Sequence, residues 1–123
     1  MILGNGDIAS VLETVDKEDR IYFASGVSNS QEKRESEYQR EIDLLLKQNK
    51  TKKLVYFSSL CVFYSNNRYS AHKRIMENLV KDNFSNYTIV RMGNITWGNN
   101  PHTIINFFKN KIKNPRYLPL SYR

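Results

Sequence analysis

The run Lys53-Leu54-Val55-Tyr56-Phe57-Ser58 is almost unbroken in apolar character. A strand wetted on one face alternates apolar and polar residues, whereas a run like this suits a strand covered on both sides, as in a parallel sheet. The segments around it alternate in kind. Residues 1–3 form a very short apolar run, and a helix to about residue 15 would carry Ile8, Val11, Leu12 and Val15 on one side. Residues 21–25 read as a second strand closed by Gly26. Ser28, Asn29 and Ser30 then offer N-cap oxygens to a long charged helix at about 31–49. Its buried stripe is expected to be Tyr38, Ile42, Leu45 and Leu46, with its Glu, Lys and Arg residues on the outer face. After the central strand at 53–58, a loop of about ten residues leads to a helix at about 69–81 with Ile75, Met76, Leu79 and Val80 inward. Residues 87–92 make a fourth strand. Pro101 suits the start of a last helix bearing Ile104, Ile105, Phe107, Phe108 and Ile112, and Pro115 and Pro119 are expected to end regular structure. Strands alternating with helices imply right-handed crossovers and a parallel α/β sheet.

The 123 residues suffice for one domain with one modest core. The single Cys61 excludes an internal disulfide and fits a reducing cytoplasm. It reads better as a small apolar residue than as a nucleophile. No apolar run reaches the length of a membrane span, and no signal peptide is evident at the N-terminus. His72 and His102 stand alone, so no metal site is expected, and His72 is assigned to the surface. Nineteen basic against twelve acidic side chains give a formal charge of +7. The basic residues are spread along the chain, and no basic helix interleaved with aromatics stands out. That balance favours attraction for a phosphorylated small molecule over nucleic-acid binding.

In parallel sheets the ligand crevice opens at the carboxyl ends of the strands. Four segments with chemical potential fall there. The first strand is followed by Gly4-Asn5-Gly6-Asp7-Ile8-Ala9, where glycine lets backbone approach a pyrophosphate. The second is followed by Ala24-Ser25-Gly26, the third by Ser58-Ser59-Leu60-Cys61, and the fourth by Gly93-Asn94-Ile95-Thr96-Trp97-Gly98. Tyr69 and Lys73 lie four residues apart on one helix, hence on one face and about 5–6 Å apart at Cβ. An ammonium there would lower the phenol's pKa while the phenol exchanges a proton with a substrate oxygen. Each feature also has a plain structural reading: glycine turns, serine caps at a strand end, a packing tyrosine and a solvated lysine.

Taken together and in this order, these segments resemble the extended short-chain dehydrogenase/reductases, the branch of NAD-dependent nucleotide-sugar epimerases and dehydratases. Gly4 through Ser10 is similar to that family's Gly-x-Gly-Phe-Ile-Gly-Ser loop, with Asp7 and Ala9 as departures. Phe23-Ala24-Ser25-Gly26 resembles its His-Leu-Ala-Ala strand end, and Phe57 through Phe63 its Ser-Ser/Thr-x-x-Val-Tyr segment. Residues 91–98 resemble its Arg-x-x-Asn-Val-Tyr-Gly segment. The resemblance implies Ser59, Tyr69 and Lys73 as catalytic residues and Asn94 as a substrate contact. It places Gly4, Asn5, Gly6, Asp7, Ile8, Ala24, Ser25, Gly26, Ser58 and Lys73 around an NAD or NADP cofactor. It further implies a cytoplasmic protein acting on a nucleotide sugar, with a homodimer formed through the helices at 31–49 and 69–81.

The chain also departs from the family. The two strands and helices the family places between its first helix and the strand at 21–25 have no counterpart, and with them goes the acid that grips the adenine ribose. The chain ends about where the family begins its substrate lobe. In the strand order 3-2-1-4-5-6, omitting strands 2 and 3 leaves a contiguous sheet with residues 1–3 at an edge. The expectation is therefore a reduced Rossmann-like, doubly wound parallel sheet of about four strands, a single domain over 1–123. Its expected function is that of an NAD(P)-dependent epimerase/dehydratase-like protein. The alternatives are a catalytically inactive remnant that binds a nucleotide or a protein partner, and a basic nucleic-acid-associated domain.

Overall fold

The computed structural model describes residues 1–4, 20–27, 29–92 and 117–120. The expected helices at 8–15 and 101–113 lie outside them, as do Asn5, Gly6, Asp7, Ile8 and Asn94. Within the described residues the elements are β1 (Ile2–Leu3), β2 (Arg20–Phe23), α1 (Glu35–Leu46), β3 (Lys53–Ser59), a 3-10 turn (Leu60–Phe63), α2 (Arg68–Asn83), β4 (Tyr87–Met92) and β5 (Tyr117–Leu120). The strands form one sheet in the order β1-β2-β3-β4-β5, and every pairing is parallel. β1 occupies an edge, and the contiguous order expected once two strands are omitted is the order observed.

Pro115 lies outside the described residues, but the strand at 117–120 corrects the reading that Pro119 ends regular structure. It pairs with β4 with Pro119 opposite Arg91. A proline lacks the N–H for one side of a ladder, so an edge strand with a single neighbour can accept it. The sheet thus has five strands where about four were expected.

When strands follow chain order every crossover steps the same way, and right-handed connections carry their helices to one face. The described sheet is therefore wound in one direction, which corrects the doubly wound layout expected, since that layout needs a reversal of strand order. α1 and α2 do pack against one another. Ile21, Phe23, Leu54, Tyr56, Tyr87 and Ile89 point from the strands toward Leu45, Met76, Val80 and Phe84 in a single cluster. On the opposite face Tyr22, Val55, Phe57, Thr88 and Val90 are also buried. Burial of both faces is what the unbroken apolar run of β3 implied, although the two described helices share one face.

Both helices start differently from the expectation. α1 begins at Glu35, and Arg34 at its N-cap makes no side-chain cap bond. Asn29 instead closes a local turn, its Oδ1 accepting from Gln31 N at 2.9 Å. Asn67 caps α2, its Oδ1 accepting from Ser70 N at 2.8 Å, which removes one orphan donor of the first turn. The buried stripe of α1 is Tyr38, Glu41 and Leu45, while Leu46 is exposed. That of α2 is Ser70, His72, Lys73, Met76, Glu77 and Val80, while Ile75 is 45% exposed.

Candidate functional site

The carboxyl ends of β1, β2 and β3 meet at one rim of the sheet, and the chain there is tightly built. Gly4 has φ 124°, and a Cβ on it would lie 2.4 Å from the Ala24 carbonyl oxygen. Only glycine allows this backbone direction and this approach. Gly4 therefore lies directly against Ala24 and Ser25, two of the residues assigned to a cofactor. Ser25 is held from α1, its carbonyl accepting from Arg40 Nη1 at 2.9 Å and its Oγ from the same nitrogen at 3.3 Å. Gly26 then passes over a buried ion pair: a Cβ there would come within 2.8 Å of Glu41 Oε2 and 2.9 Å of Lys73 Nζ.

Lys73 is almost fully buried. Its ammonium lies 3.4 and 3.5 Å from the two Glu41 carboxylate oxygens, donates to Tyr56 Oη at 3.2 Å, and sits 5.5 Å from the Tyr69 ring centroid. Glu41 also accepts from Val27 N at 2.8 Å and from the Tyr56 hydroxyl. His72 Nε2 faces its Oε1 at 2.9 Å. His72 is fully buried, against its assignment to the surface, with its ring 4.5 Å from that of Tyr38. Its Nδ1 has no partner among the described residues.

Burial opposes the charge on Glu41, but the Lys73 ammonium, with hydrogen bonds from His72, Tyr56 and Val27, outweighs it and holds the carboxyl down at about 2. Burial pulls Lys73 below the ordinary lysine value, against the attraction of Glu41. Burial also raises Tyr69, with Cys61 and Glu41 acting in the same direction. The expectation that Lys73 lowers the Tyr69 phenol is thus overturned. The lysine's charge is matched by Glu41, and the phenol stays protonated.

Of the predicted catalytic residues, the structure brings Tyr69 and Lys73 together at the rim beside Gly26. Ser59 is engaged locally. Its Oγ accepts from Cys61 N at 3.1 Å and caps the 3-10 turn, and no hydrogen bond joins it to Tyr69 or Lys73 among the described residues. Ser58, assigned to the cofactor, points to the helix side, where its Oγ donates to Glu77 Oε2 at 2.7 Å. Glu77 also receives both Nε and Nη2 of Arg91, at 3.1 and 2.7 Å. Arg74 of α2 ties down the 3-10 turn through the Val62 carbonyl, at 3.0 Å, and the loop beyond it through that of Ser65.

Sequence reasoning missed Glu41, Tyr56, His72 and Glu77. The available signal was position rather than residue type. Glu41 lies three residues after Tyr38 and four before Leu45, and Lys73 and Glu77 lie three residues before Met76 and Val80 respectively, along the same stripe. Among the described residues no group of His, Cys, Asp or Glu is placed to hold a metal ion, and no helix is long and apolar enough to cross a membrane. Compared with known proteins, the chain matches no family model, and no curated protein matches it.

Proposed function

We propose that the chain is an NAD(P)-dependent epimerase/dehydratase-like protein acting on a nucleotide sugar, with Tyr69 as its acid and Lys73 beside it. The observation that carries this reading is the position of Lys73 Nζ, 5.5 Å from the Tyr69 ring centroid and directly under Gly26, at the carboxyl rim of a parallel sheet. The carboxyl rim is the side on which open parallel sheets bind ligands, at a reversal of strand order that the described strands do not contain. Under this reading a dinucleotide would lie against Gly4 and the Ala24–Gly26 backbone, the residues that the resemblance assigns to the cofactor. When bound, the nicotinamide would exchange a hydride with the sugar carbon. A protonated phenol would donate to the developing alkoxide in the reduction half of such a cycle, whereas the oxidation half needs it as the base, a role that burial opposes. The three donors of Lys73 already meet two Glu41 oxygens and Tyr56, so a ribose hydroxyl would replace one of the longer contacts.

Glu41 also favours a second reading. Its neutralisation of Lys73, with the upward shift of Tyr69, suits a remnant that binds a nucleotide or a protein partner without turnover. Thermal melting with NAD(H), NADP(H) and nucleotide sugars separates the two. The enzyme reading expects stabilisation by a dinucleotide, conversion of a nucleotide sugar read by product analysis because the hydride returns to the sugar and the cofactor is unchanged overall, and Tyr69→Phe abolishing turnover while keeping the shift in melting temperature. Stabilisation by a nucleotide sugar with no product formed would select the second reading, and no response to any nucleotide would sink both nucleotide readings.

A further inference from the structure

Glu41 joins four parts of the molecule through one carboxylate. It belongs to α1, accepts from the Val27 amide beyond β2 and from Tyr56 on β3, and meets His72 and Lys73 on α2. A buried ion pair is weak as a source of stability, because desolvation of both charges offsets their attraction. The two sets of contacts are also unequal. Val27 N and His72 Nε2 lie at 2.8 and 2.9 Å, whereas Lys73 lies at 3.4 and 3.5 Å. The carboxylate is anchored on the loop and the imidazole, and the ammonium is the member held least tightly.

We propose that Glu41 is a positioning residue that holds the Lys73 ammonium beside Tyr69 and couples it to the Gly26–Val27 backbone. A ligand seated on that backbone then acts on Lys73 through the shared carboxylate. The inference rests on the Tyr69/Lys73 reading above and identifies a residue on which that pair depends. The charged and titratable groups that face Lys73 are Glu41 and Arg40 on α1, Tyr56 on β3, Cys61 on the 3-10 turn, and Tyr69 with the neighbouring His72 on α2.

The test is competitive acetylation of the full-length protein with acetic anhydride across pH, read by mass spectrometry of the peptide carrying Lys73. Wild type, Glu41→Gln and Glu41→Asp are compared, each with and without NAD. In Glu41→Gln the Lys73 titration midpoint should fall by at least about one pH unit, equivalent to about a tenfold larger share of free amine. Glu41→Asp, which keeps the charge but shortens its reach, should fall between. A variant that is merely destabilised labels faster without a shift in midpoint, and that result overturns the proposal. If Glu41→Gln does not fold, a wild-type midpoint in Glu41→Asp overturns it instead. NAD should slow Lys73 labelling in wild type more than in either variant, and equal protection would refute the coupling. A wild type that NAD does not stabilise would defeat the cofactor reading, while the midpoints would still decide the role of Glu41.

Discussion

Glu41 and Gly4 show how much a single position can set. The Glu41 carboxyl is held at about 2, against 4.5 for a free glutamate. A folded-state pKa below the unfolded one contributes stability that is present above the unfolded value and is lost as pH falls through the folded value. The gap is worth about 3 kcal/mol in full. Urea unfolding should therefore show about 2 kcal/mol lost from this group between pH 7 and pH 3, a loss missing from Glu41→Gln. Equal acid sensitivity in the two proteins would show that the carboxylate is not engaged as described. At Gly4 the left-handed φ and the 2.4 Å approach to Ala24 act together. Gly4→Ala should cost about 2 kcal/mol or more, and a variant with unchanged denaturation midpoint would contradict this turn.

At the scale of elements, α2 is the informative case. Its apolar residues alone suggest a face through Ile75, Met76, Leu79 and Val80, yet the helix is rotated so that Lys73 and Glu77 point inward and Ile75 outward. The rotation is favoured by partners that sequence does not pair: Glu41 for Lys73, and Ser58 with Arg91 for Glu77. Met76→Ala should cost about 2–4 kcal/mol by leaving a cavity in the core. Ile75→Lys should change stability by less than about 0.5 kcal/mol. Reversed magnitudes in chemical denaturation would mean that the helix presents its other face. The ion pair of Arg68 with Glu35, 2.8 Å long on exposed side chains, links the starts of the two helices and contributes little by comparison.

For the molecule as a whole, stability should be graded across the sheet. β3 lies at the centre with neighbours on both sides, and Leu54, Val55 and Tyr56 are fully buried. Their amides, with those of Ile89 and Val90, should exchange with solvent only through global unfolding, while those of the two-residue edge strand β1 exchange far faster. Uniform exchange across the sheet would argue against this layout. The parallel class was legible in the chain, because a strand buried on both faces must be apolar at every position, whereas the order of the first four strands and the edge position of β1 were expected only through the resemblance, by omitting two strands from the family's order. The closeness of Tyr69 and Lys73 was legible for the same local reason, a helical spacing of four. The fifth strand was not, since Pro119 signals an end to regular structure unless a neighbour pairs with the strand from one side only. The partners of Lys73 were also out of reach, because a charged residue is assigned to solvent until some other segment brings it a counter-charge. Sequence alone determined what can be settled by periodicity and local geometry. Tertiary structure alone decided which polar groups entered the interior, because the stability of a buried charge depends on partners distant in the chain.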